Sequence, residues 1–200
     1  MALDTQHGNI TVEEAQRLSD AAGSVDDVPH EPGSTEPWVS RLVADFIIAR
    51  GAHSVLETGC FKGATSAFIV NALVRLDTFA HFSVCDIDPA RIKITADRIT
   101  DLLPDEGNKV SVGLNPGNVL EYLARVDNRF DLAFVDDEHT KEHVTKELVL
   151  LIPKMNKGGL ILLHDVFGVC DLQEVVAKFG GYSIDLPRLG PAGGLGIIQC

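Results

Sequence analysis

The chain has 200 residues, of which 45% are hydrophobic and 23% are charged, as is usual for one globular domain with a sizeable core. The net charge of −12 disfavours a nucleic-acid partner, because affinity for a phosphate backbone depends mainly on Lys and Arg. No apolar run approaches roughly 18 residues and the start lacks a basic, apolar leader, so we expect no membrane partner and no secretory signal. Four scattered cysteines without C-x-x-C spacing predict a cytoplasmic protein without disulfides or a zinc knuckle.

The first 34 residues are predicted to form a helix and a mobile segment. Thr11 and Glu14 make a capping box, which indicates a helix start. The following stretch 24–34 contains two aspartates, two prolines and a glycine, which is typical of a linker or lid. We therefore divide the chain into residues 1–34, an N-terminal helix with a lid, and residues 35–200, the main domain.

A second helix is predicted from Thr35 to about Gly51. Thr35 is a suitable N-cap, and Pro37 fits the first helical turn. Trp38 is interpreted as packed core, with a role as a substrate platform as the alternative. The apolar residues of this segment fall on one stripe, namely Trp38, Leu42, Val43, Phe46 and Ile47.

Beyond Gly51, short apolar runs alternate with amphipathic segments, which predicts parallel strands covered by helices on both faces. The predicted strands are 53–57, 81–85, 109–114, 130–135, 159–163, 182–186 and 195–199. The predicted helices are 64–76, 89–103, 119–126, 140–152 and 171–179. The loop between the last two strands is too short for a helical crossover, so these strands should pair antiparallel. The fold class is therefore α/β, a Rossmann-like doubly wound sheet of seven strands, mostly parallel, with an antiparallel C-terminal hairpin.

The first strand ends in a turn with the pattern E-x-G-x-x-x-G, formed by Glu57, Gly59 and Gly63. Glycines at a strand-to-helix turn let the backbone approach a ligand closely. The pattern differs from the G-x-G-x-x-G that cradles a dinucleotide pyrophosphate, and the carboxylate of Glu57 would repel phosphate. It suits a cationic ligand that carries an amino acid, such as S-adenosylmethionine (SAM), better than NAD. A glycine-rich turn without a ligand is the alternative.

Polar residues follow the later strands, where an open α/β sheet binds its ligands. Asp86 is placed to accept hydrogen bonds from vicinal ribose hydroxyls, whereas Asp88 is interpreted as the cap of the next helix. Asn118 could meet an adenine edge. Asp136 and Asp165 end neighbouring strands, and two facing carboxylates would repel each other unless a divalent cation or a proton lay between them.

Four segments, VLETGCFKGATS, SVCDIDP, FDLAFVDDEHT and GGLILLHDV, resemble the small class I SAM-dependent methyltransferases. The resemblance runs from about Trp38 to the C-terminus. It is strongest to the branch with D-x-x-H after the fourth strand, which includes metal-dependent O-methyltransferases of antibiotic tailoring; catechol O-methyltransferases are more distant. The implied activity is methylation of a hydroxyl on a small molecule, with SAM as cofactor and Mg²⁺ or another divalent cation as assistant.

The resemblance also implies roles for individual residues. His139 would be the general base, and the metal ligands would be Asp136, His164 and Asp165. His164 stands where relatives often have Glu, and imidazole suits softer divalent ions better than Mg²⁺. The cofactor-binding residues would be Glu57, Gly59, Gly63 and Ser66 around the methionine part, Asp86 at the ribose, Asn118 at the adenine, and Asp136 nearby.

Plainer interpretations of the same residues stay open. Asp137 and Glu138 are expected to form the acidic cap of the next helix, and His143 is expected to face solvent. His164 could simply bind a neighbouring loop. An NAD-dependent oxidoreductase and a non-catalytic SAM-binding or assembly module are the alternative functions. D-x-x-H followed by His164-Asp165 favours an enzyme, and self-association stays open.

Overall fold

The structure, a computed structural model, describes residues 33–104 and 106–200, and the helix predicted to start at Thr11 lies outside them. Elements are numbered within the described residues. The helices are α1 (Pro37–Arg50), α2 (Ala64–Arg75), α3 (Pro89–Thr100), α4 (Val119–Arg125), α5 (Lys141–Leu151) and α6 (Gln173–Lys178). The strands are β1 (Ser54–Thr58), β2 (Ala80–Asp86), β3 (Val110–Pro116), β4 (Phe130–Val135), β5 (Met155–Gly168), β6 (Tyr182–Ile184) and β7 (Ala192–Gln199).

The strands form one sheet in the order β3-β2-β1-β4-β5-β7-β6. The first five pair in parallel, whereas β7 runs antiparallel to both β5 and β6. The strand order reverses between β1 and β4, which is the place where open α/β sheets bind ligands. The predicted α/β fold with its antiparallel C-terminal hairpin is confirmed.

Two apolar layers cover the sheet. On one face, Ile47 of α1 and Ile69 of α2 pack against Phe82 of β2, and all three side chains are fully buried. On the other face, Leu148 of α5 packs with Ile161 of β5. Each such side chain contributes about 1.5–3 kcal/mol by leaving water. This rigid sandwich fixes the carboxyl ends of the strands, where the candidate site lies.

Two expectations about particular residues are corrected by the structure. The N-cap of α1 is Glu36, without a side-chain cap bond, because the hydroxyl of Thr35 donates to Asp136 instead. Trp38 is 39% exposed rather than core, and its Nε1 donates to the carbonyl of Pro187 at 3.1 Å.

Strand β5 is also longer than predicted. It continues past its apolar core to Gly168 through a bulge, since its register with β7 shifts between His164 and Phe167. Asp165 lies in this bulge with a positive φ of 55°. None of the helices in 33–104 and 106–200 has both the length and the hydropathy needed to span a bilayer.

Candidate functional site

A cavity of about 860 Å³ opens at the carboxyl edge of the sheet. The ends of β1 to β5 line it together with the segment before α1 and the loop before β7. Glu57, Gly63 and Ser66 lie outside the lining, beneath the first turn. The predicted site residues that do line the cavity are Gly59, Asp86, Asn118, Asp136, His139, His164 and Asp165.

The two glycines of the first turn are required by packing. Gly59 has a φ of 77°, and a Cβ there would lie 2.2 Å from the carbonyl oxygen of Asp136. Gly63 has a φ of 74°, and its Cβ would lie 2.9 Å from the Cα of Thr95 in α3. Only glycine therefore lets the turn touch the end of β4 on one side and α3 on the other.

Asp86 stabilises this turn by accepting hydrogen bonds from its backbone. Its buried carboxylate accepts the backbone N–H groups of Cys60 and Phe61 at 3.1 Å each, and that of Asp88 at 2.9 Å. Asp88 caps α3 by accepting from the N–H of Ala90 at 2.8 Å, which confirms that interpretation. The bonds to Asp86 use three of the roughly four acceptor positions of a carboxylate, which leaves one for a ligand hydroxyl in the cavity that Asp86 lines.

The side chains of Asn118 and Glu57 form hydrogen bonds within the protein. Asn118 caps α4 by accepting from the N–H of Leu120 at 2.8 Å, while it borders the cavity. Glu57 is buried and accepts a hydrogen bond from the hydroxyl of Ser66. Burial raises the pKa of Glu57 to about 8, although the bond from Ser66 opposes the shift. Burial therefore favours the protonated form of this carboxyl group.

Asp136, directly after β4, is the centre of a four-residue cluster. Its Oδ1 lies 3.1 Å from Nε2 of His139 and 2.9 Å from Nδ1 of His164, and its Oδ2 accepts from Thr35 at 2.6 Å. Asp165 lies beside both rings, 3.9 Å from Nε2 of His139 and 3.5 Å from Nδ1 of His164. The structure thus brings together all the residues predicted as base and metal ligands.

One residue that contacts this cluster escaped sequence reasoning. Glu36, at the start of α1, is buried and accepts a hydrogen bond from Nε2 of His164 at 2.8 Å. It also accepts the backbone N–H of Leu189 at 3.4 Å. The only signal in the sequence is a carboxylate directly before Pro37, which marks a helix start but not a partner.

A family model described as a methyltransferase domain matches residues 56–166, more than half of the chain. The chain belongs to this methyltransferase family. The predicted class I SAM-dependent methyltransferase is confirmed, and the NAD-dependent oxidoreductase is disfavoured. No curated protein matches the chain.

Solved structures share the fold of this methyltransferase. They include the O-methyltransferase TomG from Streptomyces achromogenes in complex with SAM (17% identity, TM-score 0.65, 90% of this chain and 87% of that chain). An O-methyltransferase from Bacillus cereus in complex with SAH has 14% identity, a TM-score of 0.66, and coverage of 92% and 90%. The N-methyltransferase NodS from Bradyrhizobium japonicum has 14% identity, a TM-score of 0.63, and coverage of 92% and 96%. Identities this low show the fold alone, and the fold serves both oxygen and nitrogen acceptors.

The charged residues of the cluster in this methyltransferase shift one another's pKa values. Burial alone would lower the pKa of His164, but the charge of Asp136 and the bonds to Asp136 and Glu36 raise it well above its usual value. Burial also opposes the shift at His139, whose pKa is raised by its bond to Asp136. The two histidines hold the pKa of Asp136 well below its usual range despite burial, whereas burial raises that of Asp165.

A second group of titratable residues lies beside this cluster and corrects two expectations. His143 is only 12% exposed and binds Asp137 Oδ2 through Nε2 at 2.8 Å, so it does not face solvent. Asp137 and Glu138 do not cap α5, because Thr140 does so by accepting from the N–H of His143 at 3.2 Å.

Proposed function

We propose that this methyltransferase transfers the methyl group of SAM to a hydroxyl oxygen of a small molecule, with His139 as the general base. The observation that carries the proposal is the position of His139. His139 lines the same cavity as Asp86 and Gly59, but it follows β4, whereas Asp86 ends β2, and β1 lies between these two strands. A cofactor held at the turn would therefore direct its methyl group toward an acceptor at His139.

The cofactor side offers a carboxylate at the ribose position and a turn whose backbone can approach a ligand. Asp86 would accept a ribose hydroxyl, Gly59 would border the methionine part, and Asn118 would lie at the adenine. Glu57 lies outside the cavity lining, and burial raises its pKa to about 8. The positive charge of a SAM molecule in the cavity would favour the ionised form of Glu57, so cofactor binding and release of a proton from Glu57 should be coupled.

On the acceptor side, the hydrogen bond of His139 Nε2 to Asp136 leaves Nδ1 as the nitrogen that can take a proton. The acceptor hydroxyl would give its proton to Nδ1 as its oxygen forms a bond to the methyl carbon. The carbon–sulfur bond breaks at the same time, and SAH leaves as a neutral thioether. Because sulfonium is already a good leaving group, the protein mainly positions the two reactants and removes the proton.

The residues at this cluster also fit a divalent cation. One donor atom each from Asp136, His139, His164 and Asp165 lies within 4.8 Å of the others. Nε2 of His164 donates its proton to Glu36, so Nδ1 faces Asp136 and the other members of the cluster. Carboxylates orient metal-bound imidazoles in the same way. Asp136, His164 and Asp165 would hold the ion, and this donor set suits Mn²⁺, Co²⁺ or Zn²⁺ better than Mg²⁺. A bound cation would lower the pKa of the acceptor hydroxyl.

Apolar side chains at the cavity mouth indicate the body of the acceptor. Val169, in the loop after β5, is 75% exposed, and Leu189, in the loop before β7, is 58% exposed. Both line the cavity together with Pro191. Exposed apolar groups beside a polar cluster favour an acceptor with an aromatic or aliphatic body and one or more hydroxyl groups.

The test of this function uses the purified chain, SAM and two matched panels of simple phenols and aromatic amines. We expect SAH to bind in calorimetry and NAD not to bind. We expect SAH to accumulate with the phenols, detected by mass spectrometry together with the methylated product. Product from the amines alone would assign a nitrogen acceptor, and absence of SAH binding would refute the cofactor assignment.

A further inference from the structure

We propose that Asp137, His143 and Glu147 form a second divalent-metal site, distinct from the cluster of Asp136 and His164. Asp137 belongs to the loop that carries Asp136 and His139, whereas His143 and Glu147 lie on α5, the helix that follows this loop. The proposal does not depend on which acceptor the methyltransferase uses.

The geometry of the three side chains is suited to one ion. His143 and Glu147 are one turn apart on α5 and therefore share a face of the helix. Nε2 of His143 lies 2.8 Å from Asp137 Oδ2 and 3.7 Å from Glu147 Oε2. One donor atom from each residue lies within 4.8 Å of the others. One imidazole nitrogen and two carboxylates make a donor set typical of Zn²⁺, Mn²⁺ or Co²⁺.

An independent observation points to a missing ligand. Glu147 is 0% exposed, and its Oε1 accepts the hydroxyl of Thr58 at 2.8 Å. Among the described residues, neither Glu147 Oε2 nor Asp137 Oδ1 has a hydrogen-bond partner, although both atoms are buried. A buried carboxylate oxygen without a partner is costly, and a cation between these carboxylates would satisfy both.

An ion can reach this site, and its binding would stabilise the loop of the neighbouring cluster. Asp137 and His143 line the cavity, so an ion can enter from it. Once bound, the ion would join α5 to the end of β4, and the Thr58–Glu147 bond would extend this link to β1. The loop that positions Asp136 and His139 would thereby be joined to α5, which makes the role of the ion structural.

A shared proton is the competing explanation for the two unpaired oxygens. Burial and the charge of Asp137 raise the pKa of Glu147 well above its usual value, so a neutral Glu147 could face Asp137 without any metal. Replacing Glu147 by Gln distinguishes the two accounts, because Gln keeps the shape and can still accept from Thr58 but is a poor metal ligand.

The test uses metal-stripped full-length protein with His139→Gln and Asp165→Asn, so that the first cluster is disabled. Equilibrium dialysis against Zn²⁺ alone should show one bound ion, and Zn²⁺ should raise the melting temperature. Adding Glu147→Gln or His143→Gln should weaken this binding by roughly 100-fold or more and abolish the thermal shift. Adding Glu142→Gln, on the exposed side of the same helix, should change neither.

Two outcomes would overturn the proposal. One is Zn²⁺ binding that is unchanged by both Glu147→Gln and His143→Gln. The other is the absence of a bound ion in the host protein, together with a higher melting temperature for Glu147→Gln, as the shared proton predicts. If Glu147→Gln does not fold, His143→Gln alone decides, since His143 is at the edge of the cavity.

Discussion

Glu36 accepts a hydrogen bond from Nε2 of His164 at 2.8 Å, although 128 positions separate the two residues. The bond joins the N-cap residue of α1 to β5 at the point where the bulge of that strand begins. The neighbouring hydroxyl of Thr35 makes a second tie by donating to Asp136 at 2.6 Å. The segment before α1 is therefore fastened to the acceptor side of the cavity by side chains, and His164 is placed between two carboxylates.

This bond predicts a pH-dependent contribution to stability. Glu36→Gln should lower the free energy of unfolding by about 1.5–3 kcal/mol, the usual value of a hydrogen bond to a charged group. Because the pKa of His164 is raised in the folded protein, its contribution is complete below about pH 6.5, the unfolded value, and is lost as the pH rises through the folded value. The pKa of Glu36 is lowered by His164 despite burial, so the contribution is also lost in strong acid.

Urea unfolding in chelator across this pH range measures the effect. Glu142→Gln, which breaks the exposed pair with Lys146, is the matched control and should show no comparable pH dependence. A difference between Glu36→Gln and the original protein that stays constant into alkaline pH would contradict the ion pair.

Gly59 is predicted to tolerate no side chain. Gly59→Ala should lower stability by about 2–5 kcal/mol, because the new methyl group meets the backbone of Asp136 and φ stays positive. Gly180→Ala is the control, since Gly180 has a nearly identical φ of 76° with nothing within 4 Å of the Cβ. The difference in urea unfolding between the two variants isolates the steric clash, and equal losses would place the whole cost in the backbone conformation.

Asp86 is predicted to bind the cofactor. Asp86→Asn should weaken SAH binding by about 1.5–3 kcal/mol in calorimetry, as expected when charge-assisted hydrogen bonds are lost. Asp88→Asn is the matched control, because asparagine caps a helix as well as aspartate does. Asp86 also holds the glycine turn, so melting curves of both variants must accompany the titration. Undiminished SAH binding by a folded Asp86→Asn protein would remove Asp86 from the cofactor site.

Metal binding at the first cluster should release a proton. In the metal-free protein both ring nitrogens of His164 face carboxylates, so Nδ1 must lose its proton before it can bind an ion. Titration of Mn²⁺ in two buffers of different ionisation enthalpy should show this release below the folded pKa of His164. Asp165→Asn should weaken the binding, and full methyltransferase activity in EDTA would refute metal assistance.

The parts of the fold that depend on local periodicity could be predicted from the sequence. The strand that starts at Phe130 and the helix that starts at Pro89 follow from apolar spacing and from caps such as Asp88, which act within a few residues. The antiparallel last strand follows from the short loop before it. In the candidate site, the ends of β4 and β5 were predicted to converge because parallel neighbours end at one edge.

The remaining contacts could not be predicted for two reasons. Some join positions far apart in the chain, and others bury a residue expected in solvent or expose a residue expected in the core. Glu36 reaches His164 only after α1 has packed on the sheet, and no spacing encodes that pair. His143 was expected to face solvent, yet its Nε2 lies 2.8 Å from Asp137 Oδ2. Trp38 continued an apolar stripe, but its place in the first turn puts it at the rim, beside Pro187.

His139 is predicted to take the acceptor proton, so His139→Gln should lower turnover by roughly 10²–10⁴-fold, the usual worth of a positioned base. Affinity for SAH should change little, because the residue lies on the acceptor side of Asp136. His53→Gln, before β1 at the opposite edge of the sheet, is the control and should keep full turnover.

The pH profile separates this role from its competitors. Since Asp136 raises the pKa of His139, activity of the original protein should rise through a group that titrates above about 6.5, and this rise should vanish in His139→Gln. If a metal alone activates the acceptor, the variant keeps most of its rate. If His139 is structural, the variant melts early and loses SAH binding together with activity. Turnover, SAH affinity and melting temperature of one purified variant therefore distinguish the three accounts.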